Sequence, residues 1–151
     1  HGLNKLGPEP LDEDFTYIKF KNTLSRFPLK PIKTVLMDQS IISGIGNIYS
    51  DEMLHLAHIH PESKPKNIPE KNMKELYSSM KKVLQTGIDF GGDSMSDYRN
   101  IYGEKGKFQN KHNVYQKKNE KCNRKNCKGV IERKVIGTRS SHFCNNCQKL
   151  F

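Results

Sequence analysis

The sequence predicts a mainly α protein that ends in a small β-hairpin stapled by cysteines. Three observations lead there. Apolar residues recur at helical spacing through the first two thirds of the 151 residues. All four cysteines fall in the last third, as C-x4-C-x16-C-x2-C at Cys122, Cys127, Cys144 and Cys147. The net charge of +10 collects in that same third. Residues 103–151 carry 13 Lys+Arg against Glu104, Glu120 and Glu132, whereas residues 1–102 carry 13 of each sign.

The elements follow in order. "DEDFTYIKFKNTLSRF" opens with acids, which suit a helix N-terminus, and places Tyr17, Phe20, Leu24 and Phe27 on one face. Pro28 and Pro31 end it, and Pro31 can start a short helix through "PIKTVLMDQ". The stretch "SGIGN", Ser43 to Asn47, then breaks the rhythm. Glycine serves where φ is positive or where backbone approaches something closely, and asparagine is a preferred helix cap. The next helix is expected over 48–58, stopped by Pro61 and Pro65. From Pro69, the residues Met73, Leu76, Tyr77, Met80, Val83 and Leu84 keep the helical period until Gly87. Glycines at 91, 92, 103 and 106 then indicate a loop, and "HNVYQ" and "GVIERKVIG" read as strands.

Two close cysteine pairs around a strand-forming segment form a zinc-ribbon pattern. Two disulfides are the alternative, and they require an oxidising compartment. A four-thiolate zinc is coordinatively closed and therefore structural. A ribbon of this size buries too little apolar surface to fold without such a staple. His142 is a spare candidate ligand, better read as a hairpin residue. His55, His58 and His60 lie close together; His55 and His58 share a helix face and are either a metal pair or, the commoner case, ordinary surface histidines. Asp38, Asp51 and Glu52 read as capping or solvent-facing acids. No nucleophile elbow, phosphate loop or zincin motif occurs. The basic third indicates a polyanion partner such as nucleic acid, or else a solvated lysine-rich tail. No apolar run is long enough for a membrane helix, and "HGLNKLGPEPLDED" shows no signal-peptide pattern.

Several segments together resemble a known family. "LGPEPL", "IKTVLMDQSIISGIGNIYSDEMLHLAHIHP", "GGDSMSDYRNIYGEKGKFQNKHNVY" and "GTRSSHFCNNCQ" occur in that order. They resemble the C-terminal half of the bacterial formamidopyrimidine-DNA glycosylases, relatives of endonuclease VIII. The resemblance implies a helix-two-turn-helix domain over 1–102, with a lesion-loop segment over 90–102, followed by a basic strand segment and a zinc-finger β-hairpin over 103–151.

It also implies roles. Asn47 matches the asparagine that reaches a DNA phosphate beside the lesion. Arg139 matches the finger arginine assigned to flanking phosphates and to δ-elimination. Lys33, Tyr115 and Arg133 match further DNA-contacting positions. Ser94, Met95, Ser96, Asp97 and Tyr98 match the loop that closes over an everted oxidised purine. One structural Zn²⁺ on the four cysteines and double-stranded damaged DNA are the implied cofactor and partner. The expected state is monomeric and the expected location cytoplasmic, on the nucleoid.

The sequence departs from the family pattern in three places. His1-Gly2 is not the catalytic Pro-Glu, so the chain is expected to bind DNA without excising a base. Asp93 stands in the lesion loop, and the first zinc knuckle has two extra residues. The implied function is the damaged-DNA-binding portion of a glycosylase and abasic-site lyase for oxidised purines. A stand-alone zinc-ribbon nucleic-acid-binding module, or a zinc-stabilised interaction module, is the alternative.

Overall fold

A computed structural model describes residues 5–89 and 112–151. The proposed lesion-loop residues Ser94, Met95, Ser96, Asp97 and Tyr98 lie outside the described residues, as does Asp93.

Four helices build the body: α1 (Tyr17–Ser25), α2 (Ile32–Met37), α3 (Asn47–Leu56) and α4 (Glu70–Asp89), with a 3₁₀ turn at Pro65–Asn67. Helix α1 starts later than its acids suggest. Thr16 is the cap, its hydroxyl accepting from Lys19 N at 3.3 Å. The acids instead form a turn before it, in which Asp14 N donates to the Asp12 carboxylate at 2.9 Å. The predicted face is the buried one. Phe20 and Leu24 are fully buried, and Tyr17 and Phe27 pack against the same core. Each full burial contributes about 1.5–3 kcal/mol.

The corner between α2 and α3 answers the question raised by its glycines. Gly44 sits at φ +89°, a conformation that side chains with a Cβ rarely adopt. Gln39 staples the turn: its Oε1 accepts from Gly44 N at 2.7 Å, and its Nε2 donates to Ile45 O at 3.2 Å. Extended Gly46 is the N-cap, so Asn47 is the first helical residue and not the cap. A Cβ at Gly46 would meet no atom of the described residues within 4 Å.

Helix α4 runs through Gly87, where the period appeared to end. The glycine is there for contact: an added Cβ would lie 2.0 Å from the Tyr49 hydroxyl oxygen of α3. Glycine inside the helix therefore lets α3 and α4 approach. Both helices bury their apolar faces in one cluster that includes Phe20, Ile42, Met53, Leu76 and Met80.

Strands β1 (Ile131–Ile136) and β2 (Arg139–Cys144) form a two-stranded antiparallel hairpin, with Ile136 paired to Arg139 across a two-residue turn. Gly137 at φ +63° supplies the positive φ at the first turn position. The ribbon has its own small core of Val114, Cys122, Cys127, Ile131 and Cys144. "HNVYQ" is not a strand. It bends around a carboxylate of α3, which takes the hydrogen bonds a partner strand would have taken. The chain's end returns to the body: Lys149 N donates to His58 O, and His60 N to Lys149 O, both at 2.8 Å. No helix among the described residues is long and apolar enough to cross a membrane.

Candidate metal centre and nucleic-acid interface

The four thiols converge. Their sulfurs all lie within 4.8 Å of one another, with Cys122 and Cys147 at 3.9 Å and Cys127 and Cys144 at 3.6 Å. A disulfide requires about 2.05 Å, and all four cysteines are free. Zinc–sulfur bonds of about 2.3 Å give a tetrahedron with edges of about 3.8 Å, so the donor set fits Zn²⁺. Backbone donors surround the sulfurs. Gly129 N reaches Cys127 Sγ, and Asn146 N and Cys147 N reach Cys144 Sγ, each at 3.4 Å. The Asn146 amide and Gly129 N–H bring Cys127 down to about 6. Burial pushes the Cys122 and Cys147 thiols up, so a metal must displace their protons.

The lengthened first knuckle leaves this cluster intact and sends one of its residues to the helical body. Arg124 folds back onto the C-terminal end of α3. Its Nη2 donates to His55 O, and its Nη1 donates to His58 Nε2 at 2.7 Å. A cation is favoured at that end of a helix dipole. His55 is not a surface residue. It is buried, with Nε2 at 3.5 Å from Cys122 Sγ and 3.9 Å from Cys147 Sγ. Burial, aided by Arg124 and His58, lowers its pKa to about 4.

The acids of α3 also differ from their expected places. Asp51 is 1% exposed and Glu52 6% exposed. Glu52 accepts three consecutive amides: Asn113 N at 2.7 Å, and Val114 N and Tyr115 N at 2.9 Å each. Burial pushes its pKa up, and these amides oppose that push. Asp51 Oδ2 accepts from His142 N at 3.1 Å and faces His142 Nδ1 at 2.8 Å. Its Oδ1 pairs with Lys33 Nζ, which also approaches Ser140 O at 3.4 Å. Asp38 alone does what was expected, accepting from Ser40 N at 2.9 Å at the end of α2.

Lys33 therefore does not fit a direct DNA contact. Its side chain is 1% exposed and its ammonium is committed to Asp51. Burial lowers its pKa while Asp51 raises it, and the neighbouring Arg139 adds to the lowering. This lysine supports the β2 backbone from below.

The other four proposed contact residues meet. Asn47, Tyr115, Arg133 and Arg139 line one open basin of about 550 Å³, with Gln116, Lys118 and Ser140 beside them. Helix α3 brings Asn47, the hairpin brings Arg133 and Arg139, and the Glu52-held bend brings Tyr115. Arg139 is exposed at the start of β2. Arg133 Nη2 donates to Ser140 Oγ at 2.6 Å. The Tyr115 ring stands edge-on to His142 at 5.1 Å. Asn47 Oδ1 is buried without a hydrogen-bond partner among the described residues.

Residues 6–99 match the family model described as the formamidopyrimidine-DNA glycosylase H2TH domain. The chain belongs to that family. Residues 119–150 match the zinc finger found in FPG and IleRS. The formamidopyrimidine-DNA glycosylase of Bacillus subtilis (strain 168) is 44% identical over 146 residues, which cover 97% of this chain and 52% of that protein. That of Heliobacterium modesticaldum is 43% identical over 148 residues, covering 98% and 52%. The crystal structure of the Lactococcus lactis enzyme bound non-covalently to AP-site-containing DNA superposes with a TM-score of 0.82 at 39% identity, covering 96% of this chain and 51% of that one. A Lactococcus lactis complex with FAPY-dG-containing DNA gives 0.81 at 39% identity, covering 95% and 51%. The chain thus spans about half the length of these relatives. In this H2TH and finger unit, Asp51, Glu52, His55 and Arg124 are buried or bridging supports whose place sequence reasoning missed. The available signal was the four-residue step from Asn47 to Asp51 to His55, which places all three along one side of α3.

Two outcomes follow from these contacts. Glu52→Gln keeps the shape but turns an NH₂ toward backbone donors, and should cost about 2–3 kcal/mol. Urea denaturation measures the loss, and hydrogen exchange should show lost protection at the 113–115 amides. Retained protection would mean that the carboxylate does not hold this bend. Chelating the metal should unfold the ribbon and also loosen α3, because Glu52 would lose its three amide donors and Asp51 would keep Lys33 but lose His142. Circular dichroism and exchange protection within 47–56 report this, and an unchanged α3 would contradict it.

Proposed function

We propose that this chain is the damaged-DNA-gripping portion of a base-excision glycosylase and abasic-site lyase for oxidised purines. The observation that carries the reading is the basin itself. A neutral amide at the start of α3 and two guanidinium groups from the hairpin line one open face. Guanidinium forks suit phosphate oxygens, and a helix N-terminus favours an anion. Gly46 carries no side chain to obstruct that approach. Relatives of similar sequence and fold have been crystallised with AP-site and FAPY-dG DNA. Double-stranded DNA is therefore the proposed partner, with Asn47, Tyr115, Arg133 and Arg139 on its backbone. Arg139 is also the proposed δ-elimination residue.

Bound zinc would supply a closed, structural tetrahedron on the four cysteines. The residues around it hold the hairpin, and thereby Arg139, at a fixed place above α3. Base excision in this reading requires a nucleophilic amine of controlled protonation and position. The 151-residue chain by itself should bind DNA and leave the glycosidic bond intact. Borohydride trapping on an 8-oxoguanine duplex should give no cross-link at enzymatic rates, and rapid trapping would overturn this part of the reading.

Binding should be shared between corner and finger. Arg139→Ala should remove a charge-assisted phosphate contact worth about 1.5–3 kcal/mol and reduce the salt dependence by about one counterion. Asn47→Ala should weaken binding less and leave the slope unchanged, because the amide is neutral. Both losses should appear on undamaged duplex, since phosphates carry no lesion information. Titrations at several salt concentrations test this, with zinc content and circular dichroism matched. Full affinity and an unchanged slope in a folded Arg139→Ala would refute the finger as the clamp.

A further inference from the structure

We propose that His55 is a positioning residue of the metal centre, donating its Nε2–H to the Cys122–Cys147 edge of the thiolate tetrahedron. The inference rests on the zinc assignment and concerns this chain's own residues. His55 Nε2 lies 3.5 Å from Cys122 Sγ and 3.9 Å from Cys147 Sγ, and those two sulfurs are 3.9 Å apart. The nitrogen thus straddles one edge of the cluster. Cys127 and Cys144 receive hydrogen bonds from Gly129, Asn146 and Cys147. His55 supplies a comparable donor on the opposite edge, and it comes from the helical body.

Electrostatics selects the tautomer. A bare imidazole lone pair facing two thiolates would be repelled, whereas an N–H facing them is attracted. The proton therefore sits on Nε2. Nδ1 is left unprotonated, and it is buried without a hydrogen-bond partner among the described residues. That orphan acceptor is the cost of placing the ring here. The last turn of α3 is held in place by Arg124, which binds His55 O and the His58 ring. Arg124 belongs to the lengthened knuckle itself. The knuckle thus orients the histidine that hydrogen-bonds its first cysteine.

An N–H on a thiolate withdraws charge from sulfur and fixes its direction toward the metal. Removing such a partner typically lowers metal affinity by roughly 10–100-fold. The consequence reaches beyond the ribbon, because His55, Asp51 and Asn47 occupy successive turns of one helix. Metal loading and the Asn47 corner are then joined along α3, from His55 back to Asn47.

The test uses the full chain loaded with Zn²⁺ or Co²⁺. In wild-type protein, imidazole ¹⁵N shifts should report the Nε2–H tautomer at His55. His55→Phe should lose roughly 10–100-fold in Zn²⁺ affinity against a competing chelator. Its Co²⁺ sulfur-to-metal charge-transfer band should move to lower energy. His55→Gln, which restores an N–H at similar reach, should recover most of both. Four results would overturn the proposal: an Nδ1–H tautomer, a nitrogen-ligated Co²⁺ spectrum in wild type, a folded His55→Phe with unchanged affinity and band energy, or His55→Gln as impaired as His55→Phe. A chain that binds no metal would instead refute the zinc assignment. The tautomer measurement needs no variant, so a misfolded substitution leaves the test intact.

Discussion

The ribbon is fixed to the helical body chiefly by two adjacent buried carboxylates, Asp51 and Glu52 on α3. Taking a carboxylate out of water costs several kcal/mol unless charge or hydrogen bonds replace the solvent. Both are provided from elsewhere in the chain. Glu52 collects three amides of the 113–115 bend. Asp51 joins Lys33 of α2 to His142 of β2. Breaking either set would leave a charge buried without a partner, and that penalty, more than the bonds' net strength, fixes how the ribbon sits.

The ribbon cannot supply such stability itself. Its core amounts to Val114, Ile131 and three buried thiols, with Cys147 packed against them. The cysteines therefore act both as core and as ligand set. Much of what surrounds them is polar and directional: amide N–H groups on the sulfurs, His55 against one edge, and Arg124 on the end of α3. The lengthened knuckle also forms a second attachment to the body, through Arg124.

These constraints converge on one surface. Asn47 arrives by a helix start, Arg133 and Arg139 by a hairpin, and Tyr115 by a bend that has no strand partner. The basin is polar and open, which suits a charged backbone better than a small apolar ligand. Lys33 was expected among the DNA-contacting positions and is instead buried against Asp51. A lysine with the right sequence neighbours can be a buried support as readily as a surface charge.

The sequence by itself determined the elements and the metal set. Periodicity placed α1 and α4, the glycine corner and the prolines bounded α3, the cysteine spacing defined the ribbon, and Gly44 marked a corner that needs positive φ. Those features are local, and short-range sterics or ligand geometry dictate them. Only the tertiary structure decided that "HNVYQ" bends and does not extend, that α4 passes Gly87, and that Asp51, Glu52 and His55 face inward. Each of these depends on a partner 38 to 91 residues away: Tyr49 for Gly87, the 113–115 amides for Glu52, His142 for Asp51 and Cys122 for His55. Hydropathy gives an isolated acid or histidine a preference for water. That preference is reversed only when distant donors replace the water, and the spacing along α3 places its residues on one side without naming those donors.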